Sequence, residues 1–196
     1  LKEVHHRVKN NLQLLLSLSR LKDKDGKIET SEIEHSINSI AAAYEAIYQS
    51  EILDKIPIRS YLEQIVRPII RQPDIRYSIN AIDYKQSIDF LIPSGLIITE
   101  LVNNSLKHRQ IDSKSLEIDL VVSKENGVLL IQYRDNGQGY GEHLNSLRNG
   151  HTFGIAIIEG LADQLDGTLE LYDENGACAR LMITVDEHME LAEMLD

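Results

Sequence analysis

The sequence has few of the residues that build disulfides, thiolate metal sites or membrane spans. Its 196 residues include one cysteine, Cys178, which excludes an internal disulfide and a zinc site made of cysteine thiolates. A single thiol fits a reducing compartment, so we expect a cytoplasmic location. No apolar stretch approaches the ~20 residues that a membrane span needs. The opening LKEVHH also lacks the features of a signal peptide.

Positive charge is scarce as well. The chain has 20 Lys and Arg against 31 Asp and Glu, a formal net charge of −11. Such a surface repels nucleic acids and anionic membranes, so we expect neither as a direct partner. The hydrophobic share of 42% is ordinary for a protein with a core, and the length allows one large domain or two small ones. The sequence starts inside a helical pattern without Met, so we expect it to be part of a longer protein.

The first fifty residues have the pattern of two helices joined by a short polar loop. Residues 1–22 place apolar side chains on one side of a helix: Leu1, Val4, Val8, Leu12, Leu15 and Leu18. After the loop, apolar side chains recur at steps of four and three, as in a coiled coil: Ile33, Ile37, Ile40, Tyr44 and Ile47. This pattern predicts an antiparallel helical hairpin that dimerises into a four-helix bundle. The alternative is a hairpin that packs on its own downstream domain.

His6 lies opposite the apolar stripe of the first predicted helix. Glu3 and Asn10 share that outward face, whereas His5 lies closer to the apolar border. An exposed imidazole beside a carboxylate and an amide is placed to react with a group delivered from outside. The alternative is an exposed histidine without a function, which is the commoner case for a residue considered alone.

After Pro57 the composition changes to a mixture of helices and strands. Helical patterns cover 58–70, where Pro68 interrupts or ends the helix, 93–108 and 154–165. Strand patterns cover 75–82, 116–123, 128–135, 167–173 and 179–186. Because most of these strands are joined as hairpins, an α+β sandwich with one covered sheet face is favoured over a doubly wound parallel fold.

A first polar cluster lies on the predicted helix 93–108. Glu100, Asn104 and Lys107 share one face, and His108 lies at its edge. Carboxylate and amide oxygens suit a hard cation such as Mg²⁺, and the ammonium group suits phosphate oxygens. The alternative is a helix face that is simply solvated.

The segment RDNGQGYG forms a second cluster at the end of an apolar strand. Asp135 would be a buried acceptor there, and Gly137 and Gly139 would let a flat ring approach the backbone. Its carboxylate is suited to accept the exocyclic amine of adenine, which guanine lacks at that position. The alternative is a DNG turn that links two strands.

A third cluster is Gly154, which opens a predicted helix after a polar loop at 148–151. The free N–H groups and the positive end of the helix dipole favour a phosphate there. The alternative is a packing glycine.

In this order the three clusters resemble the N box, the first glycine box and a shortened second glycine box of the Bergerat-fold ATP-binding domain of histidine kinases. Upstream, EVHHRVKNNLQ is similar to the phosphoacceptor segment of their HWE-related subfamily, with His6, Arg7, Lys9 and Asn10 at the pattern's positions. The resemblance covers residues 1–185. It implies a dimerisation and phosphotransfer hairpin at 1–55, an ATP-binding α/β sandwich at 56–186 and a helical linker at 187–196.

The resemblance also implies roles for individual residues. His6 would accept the γ-phosphoryl group of ATP and pass it to an aspartate on the receiver domain of a response regulator, within a homodimer. Asn10 occupies the position that supports a reverse phosphatase activity in many kinases. Asn104 would bind Mg²⁺. The remaining nucleotide-site residues would be Glu100 for the metal's waters, Lys107 and His108 near the phosphates, Asp135 for the adenine amine, and Gly137, Gly139 and Gly154 for the pocket and its lid.

Three positions depart from the family pattern. Arg7 stands where many histidine kinases place an acid, so we expect Glu3 to take the proton from His6. The second glycine box retains Gly154 without a repeated GxG, and Ala177 stands where relatives often have a threonine near the adenine. Two alternatives remain at this point: a phosphotransfer protein that no longer uses ATP, and a Bergerat-fold ATPase of the chaperone or mismatch-repair type.

Overall fold

The computed structural model describes residues 56–109, 115–141 and 153–185. The helices are α1 (Ile58–Val66), α2 (Ile88–Lys107) and α3 (Phe153–Gln164). The strands are β1 (Ile56–Pro57), β2 (Ile75–Ala81), β3 (Lys85–Gln86), β4 (Leu116–Glu125), β5 (Val128–Asp135), β6 (Gly167–Asp173) and β7 (Ala177–Thr184). The predicted helical hairpin at 1–55 and the linker at 187–196 lie outside the described residues.

Five of these strands form one sheet in the order β2-β4-β5-β7-β6. Strands β2 and β4 are parallel, and the other neighbours are antiparallel. The β4–β5 hairpin turns at Asn126 and Gly127, whose φ angles of 50° and 73° are those of a two-residue primed turn. Strands β1 and β3 form a separate antiparallel pair.

The sheet buries one face. Strand β4 alternates buried residues such as Ile118 and Leu120 with exposed ones such as Glu117 and Asp119, and β5 shows the same alternation. The inward side chains join the helices in one hydrophobic core. The predicted mixed α/β fold with a half-buried sheet is therefore confirmed.

Helix α2 is the central helix of the described fold, and its predicted start was wrong. It begins at Ile88, five residues before Pro93, which lies inside it. Pro93 lacks an N–H and removes one helical hydrogen bond, but the helix buries Phe90, Leu91 and Ile92 in the core. The burial of these side chains outweighs the local signal of the proline.

The other two helices pack against α2. Helix α1 ends at Val66, two residues before Pro68, so the proline ends the helix, which is one of the two outcomes expected there. Gly95 of α2 permits close packing, because a Cβ atom there would lie 2.7 Å from Cε1 of Tyr61 in α1. Among the described residues, no helix has both the length and the apolar character to cross a membrane.

Candidate functional site

Asp135 is the last residue of β5, and it lies on the inward face of the strand. Leu129, Ile131 and Tyr133 precede it at the strand period of two, and Asp135 is only 4% exposed. Its Oδ1 atom accepts two backbone hydrogen bonds, from the N–H of Gly137 at 2.8 Å and that of Ala177 at 2.9 Å. The predicted burial of this acceptor is confirmed, and its orientation is fixed by the backbone on both sides.

The other carboxylate oxygen, Oδ2, accepts a short hydrogen bond from the Ser105 hydroxyl on α2. The Ser105 oxygen also lies 2.7 Å from the Tyr133 hydroxyl. Both hydroxyl groups are within reach of the Leu101 carbonyl oxygen, at 3.2 Å for Ser105 and 3.3 Å for Tyr133. Burial raises the pKa of Tyr133 far above the ordinary tyrosine value, so this phenol stays protonated.

Two glycines bring the backbone close to this carboxylate. A Cβ atom on Gly137 would lie 3.2 Å from Oδ1 of Asp135. Gly176, with φ at 146°, is tighter, because a Cβ atom there would overlap the backbone oxygen of Asp135 and lie 2.8 Å from Oδ1. Such a φ is accessible to glycine and rarely to other residues.

The rest of the RDNGQGYG segment has structural partners. Asn136 accepts from the N–H of Glu117 at 2.8 Å and so ties the end of β5 to the start of β4. Gly139 has φ at 73°, and a Cβ atom there would lie 2.6 Å from Oδ1 of Asp173. Asp173 also accepts from the N–H of Tyr140 at 2.7 Å. Gly139 thus lies against β6, and its role toward a ligand stays a prediction.

The alternative that DNG turns between two strands is not what the structure shows. In the described part of the chain, β5 is followed by helix α3, and its sheet neighbours are β4 and β7.

The Tyr140 hydroxyl is buried and has no hydrogen-bond partner among the described residues. Its burial and the nearby Asp135 carboxylate raise the pKa of Tyr140.

The polar face of α2 is more open than the Asp135 site. Glu100 and Asn104 are half-buried, whereas Lys107 and His108 are exposed at the end of the helix. The His108 N–H donates to the Asn104 carbonyl at 2.9 Å and closes the last turn. The predicted common face of these residues therefore lies at the surface of the described fold.

Gly154, at the start of α3, lies directly against this face. A Cβ atom on Gly154 would overlap Oε1 of Glu100 and lie 3.2 Å from its Cδ atom. The structure therefore brings the first and third clusters into contact. The close approach supports the packing role for Gly154, and its role toward a phosphate stays a prediction.

The donor set on α2 fits a hard cation. Glu100 and Asn104 offer a carboxylate and an amide, one turn apart, and such a small set of oxygen donors suits a Mg²⁺ ion that keeps several waters. Among the described residues there is no group of three His, Cys, Asp or Glu side chains that would hold a metal on its own.

Three of the predicted residues, Glu3, His6 and Asn10, lie outside the described residues. The sequence prediction also missed groups that the structure brings to Asp135, namely Ser105, Tyr133 and Gly176. The position of Tyr133 could have been predicted from the strand period of two, since it shares the inward face with Asp135. Ser105 carried a weaker signal, as a polar residue one turn after buried Leu101.

Two family models match separate stretches of the chain. Residues 3–72 match a family model described as histidine kinase. Residues 93–188 match a model described as histidine kinase-, DNA gyrase B- and HSP90-like ATPase. The two matches cover most of the chain.

A similar curated protein is the sensor histidine kinase PdtaS of Mycobacterium tuberculosis. It is 30% identical over 206 residues, which include 94% of this chain and 39% of the relative. The chain thus spans about two fifths of that relative's length.

Two solved structures of a blue-light activated histidine kinase from Erythrobacter litoralis have the same fold. The first has a TM-score of 0.73 at 22% identity, covering 95% of this chain and 62% of the other. The second, its histidine kinase domain, has a TM-score of 0.71 at 24% identity and covers 93% of this chain and 91% of the other. At these identities the likeness concerns the fold.

Proposed function

Because this chain belongs to the histidine kinase family, we propose that it transfers the γ-phosphoryl group of ATP to its own His6. The observation that carries the proposal is the Asp135 carboxylate, which is buried and held by two backbone N–H groups. A carboxylate in that setting recognises a donor such as the exocyclic amine of adenine. The glycine backbone at 137 and 176 keeps side chains away from it.

The phosphate end of the nucleotide would lie along the polar face of α2. Asn104 and Glu100 would hold Mg²⁺ and its waters, and Lys107 and His108 would lie near the phosphate oxygens. When bound, Mg²⁺ neutralises negative charge on those oxygens. Gly154 lies close to Glu100 at the start of α3, and the free N–H groups at that helix start would suit a phosphate.

The chemical step needs little beyond alignment and charge neutralisation. A neutral imidazole ring has one nitrogen with a lone pair available for attack. The N–P bond forms as the bond to the leaving oxygen breaks, and ADP leaves. The ring's other nitrogen then loses its proton, for which we propose Glu3 as acceptor.

The phosphoryl group would then pass to an aspartate of a response-regulator receiver domain. The N–P bond of phosphorylated His6 breaks and a P–O bond to the aspartate forms. Asn10, four residues after His6 in the sequence, would support the reverse release of phosphate from the regulator. We propose the division 1–55 for the dimerising hairpin, 56–186 for the ATP-binding domain and 187–196 for a linker.

Incubation of the purified chain with Mg-ATP tests the proposal. We expect an acid-labile, alkali-stable phosphate on His6, located by mass spectrometry under alkaline conditions. His6→Ala should abolish the label. His5→Ala is the matched control and should label nearly normally, because the helical pattern of the sequence predicts His5 nearer the apolar border. Absence of acid-labile phosphate on the wild type would overturn the assignment, and so would full labelling of His6→Ala.

A further inference from the structure

We propose that Ser105 is a positioning residue for Asp135, and that Tyr133 holds Ser105 in that role. Together they would leave one acceptor position on the carboxylate for the base and so set the preference for adenine over guanine. The inference rests on the proposed function, since it requires a purine nucleotide at Asp135. Ser105, Tyr133 and Asp135 are 8%, 2% and 4% exposed, so water does not compete freely for these groups.

The direction of the hydrogen bonds follows from a count of protons. Ser105 and Tyr133 have one hydroxyl proton each. The Asp135 carboxylate is the strongest acceptor in the cluster, so the Ser105 hydroxyl donates its hydrogen bond to it. The Ser105 oxygen then has lone pairs only, and the Tyr133 hydroxyl donates to it at 2.7 Å in preference to the Leu101 carbonyl at 3.3 Å.

Among the described residues, the same count leaves one free acceptor position on Asp135. A carboxylate has about four lone-pair positions, two on each oxygen. The N–H groups of Gly137 and Ala177 use both positions on Oδ1, and Ser105 uses one on Oδ2. An amine can donate to the position that remains. A guanine carbonyl oxygen at the same place would meet a lone pair, and Ser105 has no second proton to offer it.

Ser105 also joins the two ends of the proposed nucleotide site. It directly follows Asn104 on α2. Its hydrogen bond to Asp135 therefore connects the end of β5 to the helix with the proposed magnesium ligand. A misplaced carboxylate would weaken binding of the base without disturbing the polar face of α2.

Nucleotide titration tests the proposal, with ADP and GDP as probes in the presence of Mg²⁺. Calorimetry on the full 196-residue chain would compare wild type with Ser105→Ala and Tyr133→Phe. For Ser105→Ala we expect the Kd for ADP to rise about tenfold and the Kd for GDP to change little, because one hydrogen bond to a charged group is lost. Tyr133→Phe removes only the second link, so we expect a rise of about threefold for ADP.

Ser94→Ala is a matched control. Ser94 is another buried serine of α2, and its hydroxyl bonds to the carbonyls of Phe90 at 2.8 Å and Leu91 at 3.1 Å. We expect it to bind ADP as wild type does. Asp135→Asn supplies a second control. If Ser105 acts through Asp135, Ser105→Ala should change the Kd by less than about twofold in the Asp135→Asn background.

The outcomes separate the two proposals. Failure of wild type to bind ADP overturns the proposed function, and this inference with it. If wild type binds ADP, then Ser105→Ala with unchanged affinity, or with equal losses for ADP and GDP, overturns the positioning role and leaves the function intact. Should Ser105→Ala fail to fold, Tyr133→Phe decides, and an unchanged ADP-to-GDP ratio in that variant overturns the role.

Discussion

The end of β5 and the polar face of α2 differ in how far the protein organises them by itself. At the end of β5, Asp135 is 4% exposed, and each of its carboxylate oxygens accepts a hydrogen bond. On α2, Glu100 and Asn104 are half-buried, and Lys107 is exposed. The first region is buried and hydrogen-bonded within the protein, and the second is more exposed to solvent.

This difference suggests that the two regions recognise different parts of the nucleotide. Recognition of a neutral base depends on orientation, so a buried carboxylate with fixed lone pairs is effective. Recognition of phosphates and Mg²⁺ depends on charge, which acts over longer distances and tolerates mobile side chains. We therefore expect substitutions at the end of β5 to have large effects on folding and base binding. Substitutions on α2 should mainly affect the metal-dependent step.

The largest effect should come from Gly176→Ala. The new Cβ atom would overlap the Asp135 backbone oxygen at a φ of 146°, so we expect a loss of at least about 3 kcal/mol in the free energy of unfolding. Urea denaturation measures this loss. Gly141→Ala is the control, since its φ is 62° and no atom of the described residues lies within 4 Å of the Cβ position; it should cost about 1 kcal/mol. Equal losses in the two variants would contradict the crowding at Asp135.

Asp135→Asn should lower ADP affinity about 50-fold, because a charged acceptor of the adenine amine is lost. Asn104→Ala is the comparison on α2. It should bind ADP nearly as wild type does in EDTA, lose the gain in affinity that Mg²⁺ gives, and fail to label His6. Calorimetry with and without Mg²⁺ separates the two effects. A loss of metal-free affinity in Asn104→Ala as large as that in Asp135→Asn would remove the distinction between the two regions.

Sequence patterns predicted much of this organisation, for identifiable physical reasons. The strand β4 and the end of α1 at Val66 follow from periodicity and from Pro68, which are local signals. The start of α2 did not follow, because burial of its first turns outweighs the helix-breaking tendency of Pro93. Local signals do not report such long-range packing.

The candidate site shows the same limit. Asp135 was recognisable because it ends an apolar strand and precedes glycines. Its partners were not, since Ser105 and Gly176 lie 30 residues before it and 41 after it in the sequence. The fold alone brings a serine of α2 and the turn before β7 to one carboxylate. Separations of that size leave no periodic trace.

The burial of Tyr133 near the end of β5 predicts that the free energy of unfolding depends on pH. Because burial raises its pKa in the folded state, the protonated phenol contributes stability that is fully present below the ordinary tyrosine pKa. This contribution is lost as the pH rises above that value toward the raised pKa. In Tyr133→Phe, the loss of stability between pH 8 and pH 11 should be smaller than in wild type by about 1.4 kcal/mol. Urea denaturation at the two pH values measures it, and parallel losses would contradict a buried phenol.

The smallest effect on stability should come from Gly154→Ala, at the open end of the site. The new Cβ atom meets the end of a flexible side chain, Glu100, which can turn aside. Alanine also favours the helix over glycine by about 1 kcal/mol, which offsets part of the crowding. We expect an unfolding free energy within about 1 kcal/mol of wild type.

In the same Gly154→Ala variant, labelling of His6 should be slower by about fivefold, since Glu100 is displaced from the proposed metal waters. A severe loss of stability would mean that the α2 face is packed as tightly as the Asp135 site. Unchanged labelling would mean that the position of Glu100 does not matter for the reaction, which would leave Asn104 as the metal-binding group of this face.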